Sequence, residues 1–272
     1  MNILVTLNSN YLKPLKVMLK SLFLNNPKES FNVYIMHSSL TDKELQQIKS
    51  MLDDEGHKLY IIPMKDEYFS DAPVVMHYSK EMYYRLLAFK FLPPEVDKIL
   101  YLDPDILIIN SIKRLYDTEL NDYLFAAAYH DRISVRRINK IRLRPYDIEA
   151  YYNSGVLLFN LKRQRETIKE KTIFDFVKKN ANTLILPDQD ILNALFSKSI
   201  KPVDEILYNY DPRFFNYYRI FSNGRCDMNY IIYNTSIIHF CGKQKPWKKN
   251  YSGKFHSLYK HYERIALGRP EI

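Results

Sequence analysis

Short apolar runs alternate along the first hundred residues with longer stretches whose apolar residues recur every three or four positions. Asn2-Ile3-Leu4-Val5-Thr6 is a compact apolar run ending in Asn8-Ser9-Asn10, which predicts a buried strand followed by a loop. Over residues 11–24 the apolar positions 12, 15, 18, 19 and 22 keep a helical spacing. Residues 31–36 predict a second strand. Thr41 followed by Glu44 forms a capping box, and Leu45, Ile48 and Leu52 then share one helix face. Leu59-Tyr60-Ile61-Ile62 predicts a third strand, closed by Pro63. Residues 79–91 predict a helix stopped by Pro93-Pro94. Lys98-Ile99-Leu100-Tyr101-Leu102 follows as a fourth strand, apolar on both faces. Strand and helix in strict alternation argue an α/β fold: a mostly parallel sheet covered by helices on both sides.

The second half is less regular. Residues 123–128, 154–159 and 236–240 predict strands, and 166–179 and 190–196 predict helices. No internal repeat or low-complexity tract interrupts the chain, and no linker precedes about residue 245. The expected organisation is one domain over residues 1–245 and a basic, aromatic tail over 246–272 with little apolar periodicity.

Composition narrows the function. A chain of 272 residues, 46% hydrophobic, buries a full core without staples. Its two cysteines, Cys226 and Cys241, make neither a disulfide framework nor a zinc ribbon, and suit a reducing compartment. The start of the chain lacks the basic and long apolar segments of a secretory signal, and no run approaches ~18 apolar residues. A cytoplasmic location is expected. The net charge of +9 favours an anionic partner. Glycine is scarce: the six residues are too scattered for a G-x-G-x-x-G or Walker A loop, so phosphates must be held by other means. No recognised motif supports nucleic-acid binding.

The strongest chemical signal is Asp103-Pro104-Asp105. In an extended chain residues i and i+2 point the same way. The two carboxylates therefore sit together at the carboxyl end of a buried strand, where parallel sheets bind ligands. Such a pair calls for a hard divalent ion that can bridge to phosphate oxygens; Asp-Pro-Asp also suits a solvated turn. His239 leaves an apolar strand and could complete a metal site, or be structural. Gly242 allows close backbone approach, and Lys245 could reach a phosphate. Asn153-Ser154-Gly155 and Asp188-Gln189-Asp190 offer further polar groups, Asp188 being alternatively a helix N-cap.

Taken in order, Asp103-Pro104-Asp105, Asn153-Ser154-Gly155, Asp188-Gln189-Asp190 and the run from His239 to Lys245-Pro246-Trp247 resemble glycosyltransferase family 8, that of glycogenin and the bacterial lipopolysaccharide galactosyl- and glucosyltransferases. The resemblance implies a GT-A fold and a retaining, metal-dependent transfer of glucose or galactose from a UDP-sugar to a glycan or lipid-linked acceptor. It implies Asp103, Asp105 and His239 as ligands of Mn²⁺, with Mg²⁺ as the alternative. Thr6, Asn8 and Tyr11 match the uridine loop, and Arg85 matches a basic residue contacting the donor. Asn153, Asp188 and Gln189 match residues lining the sugar, the last two being the catalytic candidates. Gly242 and Lys245 match those holding the diphosphate. Pro104 stands where relatives often carry a small or aliphatic residue, and Asn8-Ser9-Asn10 where several carry acids. The competing readings are a catalytically silent nucleotide-sugar-binding module and a Mg²⁺-dependent phosphohydrolase. The stretch from Lys243 to Arg269, with Lys243, Lys245, Lys248, Lys249, Lys254, Lys260, Arg264 and Arg269 among Trp247, Tyr251, Phe255, Tyr259 and Tyr262, is expected either to draw the protein to an anionic membrane or to pack over the end of the domain.

Overall fold

Nine strands are described in a computed structural model covering residues 1–69, 81–129 and 146–268. They are β1 (Asn2–Leu7), β2 (Asn32–His37), β3 (Lys58–Pro63), β4 (Lys98–Leu102), β5 (Ile106–Ile108), β6 (Phe125–Tyr129), β7 (Tyr152–Asn160), β8 (Ile200–Pro202) and β9 (Ile237–His239). Seven form one sheet in the order β3-β2-β1-β4-β7-β6-β8, and β5 pairs with β9 separately. The first four run parallel, as the alternation of strand and helix required. β7 then enters antiparallel to both β4 and β6.

Both faces of the sheet are covered, which explains the unbroken apolar runs. Ile3, Val5, Leu100 and Leu102 pack on one side with Leu15, Leu19, Ile48 and Leu52. Leu4, Ile99 and Tyr101 pack on the other with Tyr83, Leu87, Ile191 and Leu192. Adjacent strand residues feed opposite cores, as the pleat dictates. The capping box forms: Thr41 Oγ1 accepts from the Glu44 amide at 3.3 Å, and Glu44 Oε2 accepts from the Thr41 amide at 2.8 Å.

Three expectations change. The helix expected over 166–179 is two, Leu161–Thr167 and Glu170–Asn180, because the backbone turns extended at Ile168 and Lys169. The helix expected over 79–91 breaks at Leu87 into Glu81–Leu86 and Ala88–Phe91, and its first two positions lie outside the described residues. The tail, read as aperiodic, contains the helix His256–Leu267, which packs on Leu12–Leu24. Its apolar pattern is masked because the buried positions are aromatic: Phe255 and Tyr259 are buried with Phe240, Tyr210 and Tyr218 in a third core. Trp247 and Tyr251 pack against that core.

Candidate functional site

The site grows from the end of β4. Past Leu102 the Asp103 amide donates to the Gly155 carbonyl at 2.8 Å, which carries the β4–β7 ladder one step further. Asp103 and buried Asp105 then flank Pro104 in the turn into β5. β5 pairs with β9 so that Ile106 opposes His239, and the Phe240 amide donates to the Asp105 carbonyl at 3.1 Å. That register brings a histidine from late in the chain against two carboxylates from its middle. Ligand atoms of Asp103, Asp105 and His239 all lie within 4.8 Å of one another.

These three residues fit a cation on grounds of their own. His239 Nδ1 is 2.8 Å from Asn209 Oδ1, a pure acceptor, so Nδ1 carries a proton and Nε2 is the atom that can turn a lone pair to a cation once its own proton has left. Nε2 faces Asp105 Oδ1 at 3.2 Å and Asp103 Oδ2 at 3.8 Å. Asp105 Oδ1 is buried with no hydrogen-bond partner. Lone pairs turned toward one another in a buried site need a cation or a proton between them. The site also has no spare room: a Cβ on Gly155 would lie 2.3 Å from His239 Cε1 and 2.6 Å from Asp103 Oδ2. The third residue of Asn153-Ser154-Gly155 is glycine because the His239 and Asp103 side chains occupy that space.

Electrostatics reflect the same arrangement. Burial disfavours charge on His239, but Cys241 and Asp105 outweigh it and raise its pKa well above the ordinary value. Burial likewise disfavours charge on Asp105, and His239 and Lys245 outweigh it, holding its pKa below the carboxylate range. The buried Lys245 ammonium pairs with Asp105 Oδ2 and donates to the Phe240 carbonyl at 2.8 Å.

Arg85 links this corner to a second carboxylate. Its Nη2 is 3.1 Å from Asp103 Oδ1 and its Nη1 is 3.1 Å from Asp188 Oδ2. The same Nη1 donates to the Ser154 carbonyl at 3.1 Å, and the guanidinium lies 4.6 Å above the Tyr101 ring. Burial opposes the charge on Arg85, yet Asp103 and the other acids around it raise its pKa. Asp188 accepts a further hydrogen bond from Ser154 Oγ at 2.8 Å.

Asp188 is not an N-cap. The helix is Pro187–Phe196, and the residue that bonds its start is Asp190, whose Oδ2 accepts from the Ile185 and Leu186 amides at 2.8 and 3.1 Å. Asp188 is thereby left to face Arg85. Gln189 is buried, and its side chain makes no hydrogen bond among the described residues. Asn153 Oδ1 accepts from the Gly155 amide at 2.8 Å, near the start of β7. Thr6 reaches the corner through Tyr101: Thr6 Oγ1 is 3.0 Å from the Tyr101 hydroxyl, which donates to Asp103 Oδ1 at 2.6 Å. Tyr11 meets Trp247 edge-on at 6.0 Å, and burial raises its pKa. Asn8 is engaged locally, its Oδ1 accepting from the Asn10 amide at 3.1 Å. Gly242 has φ +83, and a Cβ there would lie 2.4 Å from Arg213 Nη1. Sequence reading missed Asn209 and Tyr101 as site residues, and named Ser154 within its motif without a role. Tyr101 was hidden as one more apolar strand position, and Asn209 carries no local pattern at all.

Comparison with known proteins agrees with this geometry. The sequence profile described as Glycosyl transferase family 8 matches residues 2–251. Lipopolysaccharide 1,2-glucosyltransferase of Escherichia coli (strain K12) is 29% identical over 257 residues, covering 92% of this chain and 73% of that protein. General stress protein A of Bacillus subtilis (strain 168) is 24% identical over 292 residues, covering 100% and 97%. The crystal structure of the galactosyltransferase LgtC in complex with donor and acceptor sugar analogues superimposes with a TM-score of 0.83 at 26% identity, covering 100% of this chain and 98% of that one. The likeness to LgtC makes the fold GT-A. A profile match that runs from β1 past Lys245, joined to an Asp-Asp-His corner at the end of β4, shows that this chain belongs to glycosyl transferase family 8.

Proposed function

We propose that the protein is a retaining hexosyltransferase, moving glucose or galactose from a UDP-sugar to a saccharide or glycolipid acceptor on the cytoplasmic side of a membrane. The observation that carries this reading is the bridge made by Arg85 between Asp103 in the metal corner and Asp188 outside it. One guanidinium fixes the spacing between a place for a diphosphate and a place for a sugar.

In this reading Asp103, Asp105 and His239 hold Mn²⁺, the imidazole favouring it over Mg²⁺. Bound there, the ion supplies Lewis-acid neutralisation of charge on the departing diphosphate. Lys245 exchanges Asp105 for a diphosphate oxygen, a short movement for a long side chain already at the corner. Thr6, Asn8 and Tyr11 receive the uridine, and the Gly242 backbone approaches the diphosphate. Asp188 and Asn153 hold sugar hydroxyls.

Retention follows best from attack on the face the leaving group vacates. Asp188 is a weakened nucleophile, because Arg85 and Ser154 both draw the charge of its carboxylate toward Oδ2. Gln189 is a neutral amide. The bond from the anomeric carbon to the phosphate oxygen breaks, an oxocarbenium-like species forms, and the acceptor hydroxyl bonds to the same face. Its proton passes to the departing phosphate. Family membership disfavours a phosphohydrolase, and the intact corner argues against a silent binding module.

A screen of UDP-sugars for Mn²⁺-dependent hydrolysis tests the reading. Release of UDP from UDP-glucose or UDP-galactose, lost in Arg85→Gln with the fold retained, is expected. Tight UDP binding with no turnover of any sugar would establish the binding module instead.

A further inference from the structure

The expected membrane contact of the tail meets a difficulty. Phe255 and Tyr259 are core residues, and Trp247 and Tyr251 pack against that core, so these rings are committed to the fold. The apolar groups that do face water lie elsewhere. The helices Phe215–Phe221 and Met228–Asn234 turn Phe215, Tyr218 and Ile231 inward. Their other sides leave Ile220 72%, Phe221 68% and Tyr233 79% exposed, with Met228, Tyr230 and Ile232 exposed beside them in the sequence.

We propose that this helix pair is the face by which the protein docks on an anionic lipid bilayer. Charge favours that occupant. Arg219 and Arg225 are exposed over the same stretch, while exposed Arg213 is already paired with Asp211. Its one acid past Asp211, Asp227, caps the second helix by accepting from the Tyr230 amide at 2.8 Å. Aliphatic and aromatic tips among arginines suit the headgroup layer, where the rings find an amphipathic home and each basic residue gains from the anionic surface. A two-fold pair of copies joined through this face would bring the same arginines of both chains together, which disfavours a second copy. Arg213 also lies against Gly242, so the proposed membrane side adjoins the candidate site. Docking does not depend on the transfer reading.

The test is co-sedimentation of the full chain with vesicles of phosphatidylglycerol and phosphatidylcholine, and with phosphatidylcholine alone. Two variants are compared, Ile220→Ser/Phe221→Ser/Tyr233→Ser and Arg219→Glu/Arg225→Glu. Wild type should pellet with the anionic vesicles only, and each variant should bind them at least about tenfold more weakly. Thermal melting and UDP-sugar hydrolysis in solution should stay at wild-type values, which separates loss of docking from loss of fold or of catalysis. Equal binding by wild type and both variants, no binding at low salt, or a dimer in sedimentation velocity that the triple variant abolishes would each overturn the proposal.

Discussion

The corner at the end of β4 and the outward side of the helices at 215–234 break the usual partition of residues in opposite ways. The corner buries Asp105, His239 and Lys245, and the helices expose Ile220, Phe221 and Tyr233. Buried charge and exposed apolar surface are both unfavourable by themselves, and both are informative for that reason. They differ in how the cost is met. At the corner most polar atoms have a partner among the described residues, and Asp105 Oδ1 and Arg85 Nε are the exceptions. On the helices the apolar side chains have no covering element among the described residues.

If that contrast is right, substitutions should sort by region. Asp105→Ala removes a ligand and leaves Lys245 without its carboxylate. Metal-dependent turnover should fall by about 10²–10³-fold or more, measured as UDP release, while circular dichroism remains that of the folded protein. Gly155→Ala tests the crowding directly. With a methyl at 2.3 Å from the buried His239 ring and 2.6 Å from Asp103, the ligands must separate. Mn²⁺ affinity by calorimetry should drop roughly 100-fold, and an unchanged affinity would show that the corner has slack. Asn209→Ala frees the imidazole to rotate and change tautomer, so Mn²⁺ affinity should fall by about 10–100-fold.

The pH dependence sharpens the same contrast. Metal-free His239 holds its proton to higher pH than an ordinary histidine, because Cys241 and Asp105 outweigh the opposing effect of burial. Its contribution to stability is present at acid pH and is lost as pH rises through the raised pKa. Mn²⁺ must displace that proton, so the apparent Kd should rise about tenfold for each pH unit below the raised value. Melting temperature against pH should therefore slope in opposite senses with and without Mn²⁺. Parallel slopes would mean that His239 is not a ligand. At the other extreme, Phe221→Ser should change stability by no more than about 0.5 kcal/mol in chemical denaturation, since its side chain lies mostly in water.

Legibility in the sequence follows the same division. Asp103 and Asp105 were readable because two acids leaving a five-residue apolar strand break a local pattern. That the first four strands run parallel was readable from the alternation of strand and helix, but their order in the sheet was not. The helix His256–Leu267 was not, because its buried face is built from aromatic residues interspersed with lysines and histidines. The tail's lysines and rings were legible as composition, but which rings face inward is decided by packing against Phe240 and Leu12–Leu24. Asp188 shows the reverse case. Its position near a helix start suggested a cap, and only the competing bonds of Asp190 to Ile185 and Leu186 free it for Arg85.

The pairing of β5 with β9 has a consequence for synthesis on the ribosome. β1 to β4 can collapse as soon as they emerge, yet the third ligand arrives only with His239. Until then Asp103 has Arg85 to balance it, but Asp105 stands with neither imidazole nor Lys245. The nascent chain therefore carries an under-balanced Asp105 from position 105 until Lys245 is made, and the last strand to form is also the one that completes the corner.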